Sequence, residues 1–270
     1  MALPTELAQA CSEAARRGGE VLRRSWGRRR TIEYKGGIDL VTDADRASEG
    51  ALLEFIGRCF PGAAILAEES GASGAAGAAL RFVVDPLDGT TNYAHGLPHF
   101  AVNVAVEDGE GLAAGATYDP MRDELFVAVR GGGATLDGER VAVSGEAELG
   151  RALLCTGFPY DVHQAPELPL RLFGAYLRRA RAIRRLGSAA LDLAYLACGR
   201  FDGFWEAKLK PWDLAAGVLL VREAGGVVTD YDGGDRVLET GTICAAGAAL
   251  HGELLAVLRA TRSPQDGRER

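Results

Sequence analysis

Two rhythms of secondary structure meet near residue 150 of this sequence, and the change between them restricts the fold more than any other feature. Ahead of it, β-rich runs follow in quick succession at 101–107, 111–118 and 125–129, with a short piece at 140–143. Asp108-Gly109, Asp119-Pro120 and the glycine triplet 131–133 punctuate them, and connections this short predict an antiparallel sheet. From Arg151 onward strands at 153–156, 182–185, 204–206, 227–231 and 243–246 are interleaved with helices at 168–181, 188–198, 213–224 and 250–258. Strand–helix alternation of that kind builds sheets covered by helices.

The segment before the first sheet opens with apolar residues at helical spacing (Leu3, Leu7, Ala10, Ala14, Val21, Leu22), predicting a helix that ends near Trp26-Gly27. An extended piece at 31–34 and the loop-like Lys35-Gly36-Gly37 lead to a second helix over 42–59, with Thr42 and Asp43 as capping candidates. A strand at 63–67 leads to Glu68-Glu69, and 70–79, almost all Gly, Ala and Ser, reads as a loop. The run 81–84 reads as a strand stopped by Pro86. The 270 residues are therefore read as one α/β (α+β) domain over 1–262, with halves 1–148 and 149–262 and a disordered polar tail at 263–270.

Composition removes several functional classes. No apolar run approaches the roughly 20 residues needed to cross a bilayer, and the first ten residues lack the features of a secretory signal, so the expected location is cytoplasmic. The five cysteines are widely spaced with no Cys-x-x-Cys pair, which argues for reduced structural thiols rather than zinc or redox work. A net charge of −7 does not suit polyanion binding through the global field, but it suits a site that gathers divalent cations.

The chemistry concentrates at Asp85-Pro86-Leu87-Asp88-Gly89-Thr90-Thr91. Two carboxylates and a carbonyl at the end of an apolar strand offer the oxygen donors that magnesium prefers. Gly89-Thr90-Thr91 can present backbone N–H groups to an anion. Taken alone, Asp-Pro and Asp-Gly also make ordinary turns, Glu68-Glu69 can be solvated loop acids, and Asp213 can be a simple helix N-cap.

Four blocks in order, Asp39-Leu40-Val41-Thr42-Asp43-Ala44-Asp45, Glu68-Glu69-Ser70, Asp85 to Asn92, and Trp212-Asp213 with its Ala/Gly-rich helix, resemble the inositol monophosphatase family. The resemblance runs from about Lys35 to Gly226. It implies a layered α-β-α-β-α sandwich of the inositol monophosphatase and fructose-1,6-bisphosphatase type, a homodimer, and a magnesium-dependent phosphatase inhibited by lithium. By the same resemblance, Glu68, Asp85 and the Leu87 carbonyl hold one magnesium, and Asp85, Asp88 and Asp213 a second, while a third, weaker ion joins with substrate near Glu68. Glu68 and the Thr90 hydroxyl orient the attacking water, and Asp45 supports the threonine.

For substrate, the resemblance implies contacts from Leu87, Asp88, Gly89, Thr90 and Asp213. Glu206 would accept hydrogen bonds from ring hydroxyls, with Arg184 and the Ala189 backbone beside them. The expected reaction is hydrolysis of myo-inositol monophosphate. Fructose 1,6-bisphosphate, histidinol phosphate or a 3′-phosphonucleotide are the alternative substrates. The basic cluster Arg178, Arg179, Arg181, Arg184 and Arg185 supports a different role, binding RNA or a ribonucleoprotein. His95 and His99 are assigned to packing or loop hydrogen bonds.

Overall fold

The computed structural model describes residues 3–27, 32–34 and 40–262. Lys35-Gly36-Gly37, Asp39 and the tail 263–270 lie outside them. The first half contains α1 (Pro4–Ser25), β1 (Ile32–Tyr34), β2 (Leu40–Thr42), α2 (Asp43–Cys59), β3 (Ala64–Ala67), β4 (Gly71–Ser73), β5 (Arg81–Asp88) and α3 (Thr90–Ala94). It continues with β6 (Ala101–Asp108), β7 (Gly111–Asp119), β8 (Glu124–Val129), β9 (Gly133–Leu136) and β10 (Glu139–Arg140). The second half contains β11 (Leu153–Thr156), α4 (Glu167–Leu177), β12 (Ala182–Arg184), α5 (Ala189–Ala197), β13 (Gly203–Glu206) and α6 (Pro211–Glu223). It closes with β14 (Gly226–Thr229), α7 (Val237–Thr240), β15 (Ile243–Gly247) and α8 (Ala248–Thr261).

Eight strands form one sheet in the order β10-β9-β8-β7-β6-β5-β3-β4, and five form another in the order β12-β11-β13-β15-β14. The first is antiparallel except where β3 and β5 run parallel. Helices α1 and α2 cover its outer face, α5 and α6 lie between the two sheets, and α4 and α8 cover the far face of the second. The result is an α-β-α-β-α sandwich.

The helices differ in sequence according to how many sides they bury. In α1 the buried residues Leu7, Cys11, Ala14, Ala15, Gly18 and Leu22 form one stripe, while charged residues occupy the exposed face. In α6 every residue from Leu214 through Val221 is buried, because a sheet lies on either side. The apolar run that is too short to span a membrane is thus the middle layer of the sandwich. Each large apolar side chain buried there contributes roughly 1.5–3 kcal/mol. Among the described residues, no helix is long and apolar enough to cross a membrane.

The structure departs from the sequence reading at several points. Strand β4 lies within the small-residue segment read as a loop, where it pairs with β3. The short β9, α3 and α7 have no counterpart in the expected elements, since each is five residues or fewer. Helix α4 ends at Leu177, so Arg178, Arg179 and Arg181 lie in the chain after the helix. Most consequential is Pro86, which does not end β5: the strand runs on to Asp88 through a bulge. Asp85 pairs with Asn103 and Asp88 with Ala101, so three steps on β5 face two on β6.

Candidate metal centre

That bulge decides the direction of the two carboxylates. In a regular strand, residues an odd number apart point to opposite faces. The extra residue between Asp85 and Asp88 restores a common side, and proline is tolerated there because a bulge leaves an N–H unpaired. Leu87 N donates to Asp85 Oδ1 at 2.9 Å, and Ser48 Oγ on α2 donates to the Pro86 carbonyl at 2.8 Å. Gly89 then turns the chain with φ 90, and a Cβ there would sit 3.1 Å from the His99 carbonyl, so the turn into α3 requires glycine.

Parallel pairing of β3 with β5 sets their carboxyl ends side by side, and Glu68, just beyond β3, continues the ladder through a 3.2 Å bond from its N–H to the Val84 carbonyl. From the other half comes Asp213, three residues into α6, whose carboxylate accepts from Lys210 N at 2.7 Å. Asp213 is thus not the N-cap, which is Lys210; it stands at the third helical position, where it can both hold the Lys210 N–H and belong to the cluster. One oxygen from each of Asp85, Asp88 and Asp213 lies within 4.8 Å of the others. Asn103, the partner of Asp85 on β6, holds α6 in place: its Nδ2 donates to the Trp212 carbonyl at 2.7 Å while its Oδ1 accepts from Thr117 at 2.7 Å.

Asp85, Asp88 and Asp213 line a cavity of about 490 Å³ together with Glu68, Leu87, Gly89, Thr90, Thr91, Ala189 and Glu206. Asp45 is buried beneath it, bonded by Thr42 N at 2.8 Å and Thr42 Oγ1 at 2.6 Å. The Thr90 hydroxyl lies 3.1 Å from Asp45 Oδ1 and 2.9 Å from the Leu87 carbonyl. Asp88 receives two donors from the start of α5, the Ser188 hydroxyl and, at 2.9 Å, Ala190 N. Asn92 reaches the same loop from α3, donating to the Leu186 carbonyl at 2.8 Å.

Crowding of carboxylates governs the electrostatics. Burial, then the charges of Glu68, Asp88 and Asp213, push the Asp85 carboxyl well above the usual range. Burial and the neighbouring Asp88 push Asp213 up to about 8. Asp88 is raised by burial and pulled back by its Ser188 and Ala190 donors. Glu206 is raised by burial to about 8, with Arg185 opposing the rise. A divalent cation relieves such repulsion, and a donor set of carboxylates plus one carbonyl, without sulfur or imidazole, fits a hard ion such as magnesium.

Of the residues expected at the site, Arg184 is the one placed elsewhere. It is exposed, its guanidinium donates to the Ile183 carbonyl, and the side chain lining the cavity is Arg185. The reason is the strand: β12 ends at Arg184, so only the next residue turns into the cavity. The sequence alone assigns no role to Ser188, Asn92, Asn103 or Gly157. A Cβ on Gly157 would lie 2.0 Å from Glu206 Oε1, so that glycine makes room for the acid. Ser188, the first residue of the helix expected over 188–198, is the N-cap of α5, and its second partner, Asp88, is a hundred residues away.

The sequence profile of the inositol monophosphatase family matches residues 3–263. The chain is 43% identical over 248 residues to the Nus factor SuhB of Haemophilus influenzae, covering 91% of this chain and 93% of that one. Among solved structures, the extragenic suppressor protein suhB of Bartonella henselae superposes with a TM-score of 0.89 at 40% identity, covering 93% and 97% of the two chains. The inositol monophosphatase of Anabaena does so with 0.87 at 40%, covering 97% and 98%. The chain belongs to the inositol monophosphatase family.

Proposed function

We propose that this protein is a magnesium-dependent phosphatase that hydrolyses myo-inositol monophosphate to inositol and phosphate. The observation that carries the reading is the convergence of Asp85, Asp88 and Asp213 within 4.8 Å, in a cavity whose wall also bears Glu206. Glu68, Asp85, the Leu87 carbonyl, Asp88 and Asp213 would hold two magnesium ions, and a third, weaker one would join with substrate near Glu68. Bound magnesium supplies charge neutralisation for the phosphate and a water of lowered pKa.

The chain itself does the positioning. Backbone N–H groups of Gly89, Thr90 and Thr91, at the start of α3, are free of helical partners and suit the phosphate oxygens. Thr90, held by Asp45 at 3.1 Å, orients the attacking water together with Glu68. In-line attack then places the leaving oxygen on the far side of phosphorus, towards Glu206 and Ala189. Glu206 accepts hydrogen bonds from ring hydroxyls and so favours a polyol, and Arg185 takes the place beside the ring first assigned to Arg184. Comparing kcat/KM for inositol 1-phosphate, fructose 1,6-bisphosphate, histidinol phosphate and a 3′-phosphonucleotide, with and without magnesium, tests this. A preference for any of the last three replaces inositol phosphate as the substrate, and activity without magnesium removes the metal assignment.

Further properties follow from the same reading. Lithium should inhibit by competing at a magnesium position. The protein is read as cytoplasmic and homodimeric. Leu170 and Leu177, two turns apart on α4, remain 62% and 57% exposed and suit a subunit contact, which sedimentation would measure. A second role, in binding RNA, is supported by the exposed Arg178, Arg179 and Arg181 and by relatives that carry the name Nus factor. RNA affinity no better than that of a charge-matched control protein, titrated against salt, would remove it.

A further inference from the structure

A second cavity, of about 300 Å³, adjoins the carboxylate-lined one and shares part of its wall: Gly157, Phe158 and Pro159 from the β11–α4 loop, and Ala207 and Lys208 from the turn after β13. The end of β13 separates the two. Glu206 lines the first cavity and its neighbour Trp205 lines the second, as expected for successive residues pointing to opposite faces of a sheet. Beyond Trp205, the second cavity is lined by Tyr231, Leu168, Leu172 and Ala165, and also by Pro169 and the charged Glu167 and Arg171. Trp205 and Tyr231 are 3% and 4% exposed, and Trp205 is backed by the Tyr176 ring at 4.1 Å.

The partition between the cavities is unusual. Lys208 adopts φ 63, a conformation that a non-glycine residue holds only when its surroundings enforce it. Its ammonium bridges the two loops through a 2.6 Å ion pair with Asp161. Phe158, on the shared wall, rests against Phe173 on one side and the Arg185 guanidinium on the other. The polyol-binding side thus ends in a short wall, and behind it lies a space large enough for a ring, with Trp205, Tyr231, Leu168 and Leu172 on its walls and the charged Glu167, Arg171 and Lys208 also lining it.

We propose that this second cavity is a subsite for an aromatic ring carried by the alcohol whose phosphate is cleaved in the first. The proposal rests on the phosphatase reading and widens its substrate class to phosphate monoesters with an aryl group a few bonds beyond the ester oxygen. The chemistry is unchanged: water oxygen bonds to phosphorus, the phosphorus–alcohol oxygen bond breaks, and the departing oxygen takes a proton. Burial of the ring beside Trp205 and Tyr231 supplies affinity that the same alkyl chain without a ring lacks.

The test compares ω-phenylalkyl phosphates of increasing chain length with n-alkyl phosphates of the same length, with inositol 1-phosphate as the reference. Wild type is measured beside Ala165→Trp and Leu168→Phe, two substitutions that fill the second cavity and line only that one. The expected result is a kcat/KM advantage of about tenfold for the phenyl ester at the chain length that spans the wall. It should fall below about twofold in both folded variants while inositol phosphate turnover is kept. An advantage absent at every length, or surviving both substitutions, overturns the subsite. So does a change in molecular size in the filled variants, which would assign the cavity to a subunit contact. Failure of wild type to hydrolyse any ester, inositol phosphate included, overturns the phosphatase reading and this proposal with it.

Discussion

The eight-stranded half and the five-stranded half meet at one cavity but contribute to it by different means. From the first, Asp85, Leu87, Asp88, Gly89, Thr90 and Thr91 arrive on one continuous stretch, shaped by a bulge and a single glycine turn, with Glu68 on the adjoining strand. From the second come residues scattered over three elements: Ser188 and Ala189 at the start of α5, Glu206 at the end of β13 and Asp213 in α6. The first half presents a prefabricated cluster. The second must be docked, and the docking runs through Asp88, Asn92 and Asn103.

The sharpest way to break this division is Asp88→Asn, which removes a charge at the point where both halves meet while keeping the shape of the side chain. Magnesium-dependent phosphate release should fall by about a thousandfold, with the circular dichroism spectrum unchanged. Undiminished turnover would remove Asp88 from the metal centre. Next in size, Asn103→Leu strips the Trp212 carbonyl and the Thr117 hydroxyl of their partner. It should cost about 1–3 kcal/mol in chemical denaturation and raise the magnesium requirement roughly 10–100-fold. A loss of stability with the magnesium requirement unaltered would mean that α6 is held without help from the sheet.

Smaller again is Glu206→Ala, which tests the second half alone: inositol phosphate should lose about tenfold more kcat/KM than a simple aryl phosphate. Equal losses would deny the acid its part in choosing the alcohol. The smallest effect concerns Asp192 on α5, 1% exposed, with neither oxygen hydrogen-bonded among the described residues. Burial, reinforced by Glu206 and Asp88, holds its carboxyl well above the usual range. Stability contributed by a raised carboxyl is full below the unfolded value near 4 and is lost as pH climbs towards the folded one. Asp192→Asn should therefore raise Tm by roughly 2–4 °C at pH 8 and leave it unchanged near pH 4. A lower Tm at pH 8 would mean that the acid has a partner worth keeping.

How much of this was legible beforehand follows the same division. The first-half cluster could be read because its residues are contiguous and their chemistry is local, although Pro86 reads as the end of the strand whereas it sits in the bulge that aligns the two acids. The two rhythms of strand and helix made an antiparallel first half and a helix-covered second half legible, while the layered sandwich itself came from the family resemblance. In the second half, a side chain's direction depends on where a three-residue strand stops, so Arg184 and Arg185 could not be told apart. Ser188 and Asn103 carry no local mark of function, since their partners lie a hundred residues and more along the chain. Small elements such as β4 exist only because a neighbouring strand offers its edge.

The passage of α6 between the two sheets has a consequence for the order of events when the chain folds. Asp213 joins Asp85 and Asp88 only once both sheets have closed on that helix, a late step because it joins segments far apart in sequence. A dication held by these three carboxylates, as proposed above, would therefore have no complete site in partly folded chains, and by mass action it would draw the population towards the finished sandwich. In a refolding experiment the appearance of magnesium affinity would mark the last act of assembly.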